Sequence, residues 1–392
     1  MRKYIGLLAL ALTLTACANN KENTEETKPK LTAVEDDSTN DENSTNQEEV
    51  GQEENKEESK EETKETSIDG KLVKNQINIY DYFDTITSFI AYTENDEEFD
   101  RLVGILEEEL SIYHKLYNSY DEFEGVNNFY TINQNAGIKP VKVDKAIIDL
   151  TKYSKEMYKL TDGKIDIAMG SLLGLWHDFR EMSINNPDKA AIPAEDDLVK
   201  ASKHKDIDAI EIDEENSTVY INDKDVKIDI GAIGKGYATK IIGEKLKESG
   251  LKHGILSVGG DDMLIGDNPG AENSYYKIAI QNPDLEDKDN PYSAVVSLKN
   301  TSVVTSGDYQ RYFVVDGKRY HHIIDPATLY PSTNWTSVSV ILDDIALADT
   351  ISTYLFILDY ENGLKFAKEN NCEVMWIDHE GNQFKTEGWP ES

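Results

Sequence analysis

Residues 227–242 read KIDIGAIGKGYATKII: an apolar, strand-like entry, three glycines, a lysine and a helix-like exit. A glycine-rich turn between a strand and a helix is a common way to hold an anion, because backbone amides and the helix N-terminus face it together. The spacing excludes the usual nucleotide loops. The first glycine stands too close for a Walker A loop, and the lysine is followed by Gly236 and Tyr237 rather than by Ser or Thr. The glycine order is not the dinucleotide fingerprint, and no βαβ frame surrounds it. On its own the stretch is equally a tight turn with no ligand.

Outward from this turn, the pattern predicts a strand over 77–92 broken near Asp84, and a helix over 98–117 with Phe99, Leu102, Leu106, Leu110 and Tyr113 at helical spacing. Asp144 caps a second helix through Leu160, ended near Gly163. Short strands are expected over 207–212, 218–221 and 226–230, then a helix over 237–249 with Gly250 just past its end. Strands over 254–258, 276–281, 294–298, 312–315 and 335–341 follow, then helices over 345–358 and 361–370 and a strand over 373–377. Runs of strands interrupted by helix pairs make an α+β domain rather than a regular βα alternation.

Three further stretches carry candidate chemistry. Residues 305–332 place His321 and His322, Asp325 and two arginines in one hairpin-like unit. Adjacent strand residues face opposite ways, so at most one histidine faces a site, and His321 is read as a polar surface residue. His322 is the natural proton acceptor near neutral pH. In ALADTISTYLFIL (346–358), Asp349 and Thr353 share a helix face among apolar neighbours. A carboxylate there either binds a hard cation with the hydroxyl or is an exposed residue satisfied by the helix dipole. The apolar run 160–176, with Met169, Gly170 and Trp176, reads first as core and second as the lining of a flat ligand site.

The N-terminus belongs to another regime. Arg2 and Lys3 precede an apolar run and then Leu-Thr-Ala-Cys at 14–17. This is a secretory signal, too short to span a bilayer as a mature helix. It is similar to a bacterial lipobox in which Cys17 is lipidated; the plainer alternative is a signal peptide with an incidental cysteine. Residues 18–70 hold eighteen Asp and Glu against six Lys and no Arg. With almost no large apolar residues, they read as a disordered acidic tether. Cys372 is the one other cysteine, so a lipidated Cys17 leaves no disulfide. A formal net charge of −35 argues against nucleic-acid binding. The expected organisation is a signal over 1–16, the anchored tether over 17–70 and one large domain over 71–392.

Taken together and in this order, the motifs resemble the ApbE family of FAD:protein FMN transferases. Asp229 to Tyr237, Ser306 to Tyr309 with His321 to Pro326, and Ala348-Asp349-x-x-x-Thr353 are each similar to a family motif. The resemblance implies a single large catalytic domain of mixed sheets with packed helices, related to the T-fold. It implies Mg²⁺ held by Asp349, Thr353, Ser352 and the carbonyl of Ala232. It implies FAD contacts from Asp229, Lys235, Tyr120, Ala168, Met169, Gly170 and Ile324. The family's Met-Gly-Thr triplet against the flavin is replaced here by Phe83-Asp84-Thr85.

The implied reaction transfers FMN from FAD to a Thr or Ser hydroxyl of an exported acceptor protein and releases AMP. His322 is the preferred base, with Asp325 orienting it or acting itself. The implied location is the extracytoplasmic face of the cell membrane. Three rivals stay open on sequence: a pyrophosphatase splitting FAD into FMN and AMP, a non-catalytic flavin- or solute-binding lipoprotein, and an adhesin on an acidic stalk.

Overall fold

The structure, a computed structural model, describes residues 65–391, so the signal, Cys17 and nearly all of the tether lie outside the described residues. Its frame is an antiparallel sheet in which nine strands pair in chain order. These are Glu65–Thr66, Val73–Ile79, Thr87–Thr93, Gly254–Val258, Asp261–Ile265, Ser302–Gly307, Ser337–Leu342, Glu373–Ile377 and Gln383–Lys385. Everything else is inserted between neighbouring strands of this meander. The mixed α+β class expected from the pattern is what the chain adopts.

Strand alternation sends side chains to two cores. Phe89, Ala91, Leu256, Val258, Met263, Val338 and Val340 face a layer of helices. Ile90, Ile255, Leu264, Val303, Ile341 and Met375 face the opposite way, against the hairpin Tyr276–Gln281/Tyr292–Leu298. The helical layer includes Asp96–Leu116, Gly234–Glu248 and Ile345–Ile357. The first is capped by Asn95, whose side chain accepts from the Glu98 amide while Glu98 accepts from the Glu94 amide. The second ends at Gly250, which takes φ 106°.

Several expected elements differ. Residues 226–230 have strand-like alternation but form only one bridge, between Lys227 and Met169. The segment is instead clamped by Asn133, whose side chain accepts from the Ile228 amide at 2.7 Å and donates to the Ile228 carbonyl at 2.8 Å. The strand expected from 207 starts at Ile210, after a 3₁₀ turn. Elements that went unread include the helices Phe129–Gln134, Gly170–Asn185 and Glu195–Ala201 and the strands Asp261–Ile265, Ser302–Gly307 and Gln383–Lys385.

Candidate functional site

One end of the sheet gathers the chemistry. The loop around Phe83 to Thr85, the turn at Gly259 and Gly260, and Ser306 near the end of its strand all lie there. Phe83 and Asp84 take φ 57° and 50°, and the Phe83 amide donates to His114 Nδ1 at 3.1 Å. Gly259 and Gly260 take φ 61° and 85°, so a two-residue loop returns the chain directly into Asp261. A side chain at 259 would meet Thr85 Oγ1 at 2.7 Å, which ties this turn to the Phe83 loop.

Two helices bring the acidic centre to the same end. Asp349 is only 6% exposed, unlike the surface residue of the plainer reading. Its Oδ2 accepts from the Gly236 amide at 2.7 Å, one of the amides a helix start leaves unpaired. Beside it, Ser306 Oγ lies 2.8 Å from Ser352 Oγ and 3.2 Å from Thr353 Oγ1. Ser352 also donates to the Asp349 carbonyl at 2.9 Å. A buried carboxylate with three neighbouring hydroxyls is a hard-oxygen donor set that fits Mg²⁺. Ala232 lies in the turn leading into the Gly234–Glu248 helix.

Lys235 forms a salt bridge with Asp261 Oδ2, and Asp261 is 1% exposed. Burial pushes the carboxyls of Asp261 and Asp349 up, and the lysine ammonium opposes the shift in both. Burial works against the Lys235 charge, but Asp261 and then Asp349 more than offset it and raise its pKa.

The wall of the opening turn faces a second set of groups. Asp229 is positioned by its amide, which donates to the Ile167 carbonyl at 2.9 Å, and its Oδ1 accepts from the Gly231 amide at 2.8 Å. Tyr120 donates its hydroxyl to Asp229 Oδ2. Its loop is set by Asn118, whose side chain accepts from the amides of Tyr120 and Asp121. The Tyr120 ring stacks on His177, centroids 4.3 Å apart, and His177 Nδ1 lies 3.1 Å from Arg180 Nη2.

Ala168 and Met169 are buried, so their side chains serve the core as first read. Gly170 is obligatory for a close approach: a Cβ there would lie 2.6 Å from the Lys227 carbonyl oxygen. Ile324 is buried in a small cluster with Met169, Trp176 and Phe313.

The paired histidines separate as adjacent strand positions should. His321 is not the surface residue expected from sequence but a buried one, its Nε2 2.7 Å from the Ser332 carbonyl and its Nδ1 accepting from the Ile323 amide. His322 keeps solvent contact, with Nδ1 3.3 Å from the Arg311 carbonyl. Neighbouring groups desolvate the inner side of its ring and the Arg311 guanidinium repels a second charge, so its pKa is held below the usual imidazole range although the ring keeps an exposed edge. Asp325 is engaged elsewhere: Oδ1 accepts from Lys164 at 3.4 Å and from the Ala327 amide at 3.0 Å.

Sequence reading missed Asp261, His177 and Arg180, and noted Arg311 as one of the two arginines of the 305–332 unit without giving it a role. For Asp261 a signal existed, the Gly-Gly pair between two apolar runs. Among the described residues, one group of three metal-capable side chains has ligand atoms within 4.8 Å of one another: His204, Asp223 and Asp225, none of them in this site. A cavity of about 620 Å³ lined by Tyr92, Asn95, Gly250 and His253, among others, shares no residue with the site either.

Comparison with known proteins decides the family. The sequence model of the ApbE family matches residues 83–376. The chain belongs to the ApbE family. The FAD:protein FMN transferase of Klebsiella pneumoniae strain 342 is 30% identical over 258 residues, 65% of this chain and 71% of its own length. That of Escherichia coli K12 is 29% identical over 275 residues, 69% of this chain and 75% of its own. The crystal structure of the ApbE protein from Thermotoga maritima aligns with a TM-score of 0.68 at 27% identity, covering 80% of this chain and 97% of that one. The flavin transferase ApbE from Vibrio cholerae aligns at 0.66 and 21% identity, covering 81% and 98%. The ApbE fold thus accounts for the meander and its insertions. Asp84 takes a left-handed φ of 50°, which Asp tolerates better than most residues.

Proposed function

We propose that this ApbE-family chain transfers FMN from FAD to a Thr or Ser hydroxyl of an acceptor protein. The observation that carries the reading is the buried Asp349 with the hydroxyls of Ser306, Ser352 and Thr353, at the sheet end that also holds the Lys235–Asp261 pair. Asp229, Lys235, Tyr120 and Phe83 hold FAD, with the backbone of the 168–170 segment and the buried Ile324 completing the wall. The acceptor oxygen attacks the FMN phosphorus; a new P–O bond forms, the bridging P–O bond of the pyrophosphate breaks, and AMP leaves with that bridging oxygen. His322, neutral at physiological pH, takes the hydroxyl proton. Lys235 supplies a fixed positive charge near the pyrophosphate.

Asp349, Thr353, Ser352 and the Ala232 carbonyl would hold Mg²⁺, which when bound polarises the pyrophosphate and offsets charge on departing AMP. Asp325, bridged to Lys164, shapes the turn after His322 rather than orienting the imidazole. The LTAC at 14–17 supports lipidation at Cys17 and anchoring outside the cytoplasmic membrane, with exported acceptors. AMP release measured with FAD and Mg²⁺, with and without acceptor protein, tests the reading. Transfer makes AMP release depend on the acceptor; equal release without it would make the chain a pyrophosphatase.

A further inference from the structure

We propose that Asp261 is a positioning residue that holds the Lys235 ammonium off Asp349, and so keeps the Asp349 carboxylate open to a divalent cation. This rests on the Mg²⁺ reading of Asp349 given above. Two carboxylates, 1% and 6% exposed, and one ammonium share a nearly dry space, and the Arg311 guanidinium stands near enough to act on all three. Lys235 precedes Gly236, whose amide already touches Asp349, so the lysine stem starts beside that carboxylate. Lys235 has two acidic neighbours pulling on its charge, and it is bonded to Asp261.

The two partners are not equivalent. Asp261 is fixed by the sheet: it pairs with Val258 across the Gly259–Gly260 loop, at the first position of its strand. Its side chain shares the helix-facing side with Met263 and Ile265. The Gly234–Glu248 helix is held close to that strand, since a Cβ at Gly243 would lie 2.3 Å from Met263 Sδ. Geometry therefore presents a rigid carboxylate to Lys235. Without the Asp261 charge, Asp349 is the acidic partner left to the lysine, because Ser306, Ser352 and Thr353 offer only neutral hydroxyls. An ammonium seated on Asp349 competes directly with a metal ion for the same oxygens.

The test is Mn²⁺ binding by the purified protein, read from the electron paramagnetic resonance signal of free Mn²⁺, without FAD or turnover. Wild type should bind and Asp349→Ala should not. Asp261→Asn should weaken Mn²⁺ binding by about 10- to 100-fold, the range typical of partners that tune a metal ligand. The double variant Asp261→Asn/Lys235→Met should bind within a few-fold of wild type, because the ammonium freed onto Asp349 is gone while Arg311 is the same in every variant. Asp261→Ser serves the same cycle if the asparagine variant does not fold. An unchanged affinity in Asp261→Asn, or no recovery in the double variant, overturns the positioning role while leaving the metal site intact. Absence of Mn²⁺ binding by wild type overturns the metal reading itself, and this inference with it.

Discussion

Gly236 and Asp349 meet so closely that no side chain fits between their helices. The Gly236 amide donates to Asp349 Oδ2 at 2.7 Å, and a Cβ at 236 would lie 2.4 Å from Asp349 Cβ and 2.9 Å from the Ile345 carbonyl oxygen. The opening glycine-rich stretch owes this glycine to helix packing and to the carboxylate it orients.

Gly236→Ala should therefore damage both stability and the site. The added methyl must push two helices apart against backbone, so a loss of about 1–3 kcal/mol is expected. For a domain spanning residues 65–391 that is a fall in Tm of roughly 1–2 °C per kcal/mol, measurable by calorimetry. Transfer activity should drop more than the unfolded fraction explains, since Asp349 moves with its helix. A variant with full activity would show that the close approach is not needed.

Asp349→Asn and Asp349→Ala should separate charge from packing. The asparagine oxygen can still accept from the Gly236 amide, so Asn should be close to wild type in Tm, whereas Ala leaves that buried amide unpaired at a cost of about 1–3 kcal/mol. Both should lose FMN transfer by roughly a hundredfold or more, the scale of several kcal/mol of transition-state charge stabilisation. Normal turnover by Asn, assayed at saturating FAD, would remove the carboxylate from the chemistry.

Much of the fold was legible because its elements obey simple periodicities. The helix from Asp96 shows five apolar residues at helical spacing, and Asp144 caps its helix as its residue type predicts. The misses have physical causes. Gly170–Asn185 crowds Leu172, Leu173, Leu175 and Trp176 together, which blurs its apolar face. Residues 226–230 alternate like a strand, yet Asn133 and the 167–170 segment, not a neighbouring strand, take their backbone groups. The strand from Asp261 was hidden by two leading aspartates that strand propensity disfavours.

In the site, Asp229, Lys235, Asp349 and Thr353 stood out by motif, and their roles came from family resemblance rather than composition. Asp261 reaches Lys235 only through sheet register, and Arg180 reaches the Tyr120 stack only through His177, relations no local pattern encodes.

Tyr120→Phe isolates one hydrogen bond. It removes the hydroxyl that Asp229 accepts from and keeps the ring stacked on His177. If the pair frames the flavin dinucleotide, FAD affinity should fall about 3- to 10-fold, the equivalent of one hydrogen bond. Tyr120→Ala should lose more, because the stack goes too. Flavin fluorescence quenching measures both; equal affinities for all three proteins would place FAD elsewhere.

The two histidines should be silent near neutral pH. Burial lowers His321 to about 4, and desolvation with Arg311 lowers His322 further. A depressed imidazole pKa means that the neutral form persists as pH falls through 6.5, while the same shift makes the ring a weaker proton acceptor. Their ring resonances, assigned with His321→Gln and His322→Gln variants, should be flat from pH 5.5 to 8. A His322 inflection near 6.5 would contradict the crowded, cationic setting described for it.

The central claim is covalent transfer, and the most direct test is the intact mass of the acceptor. The purified protein, FAD and Mg²⁺ are incubated with exported proteins of the same organism that offer an acceptor threonine or serine, and the products are weighed. The account predicts an acceptor heavier by one esterified FMN, with AMP released in equal amount and no gain with Asp349→Ala. Free FMN and AMP beside an unmodified acceptor, or FAD bound and unprocessed, would contradict it.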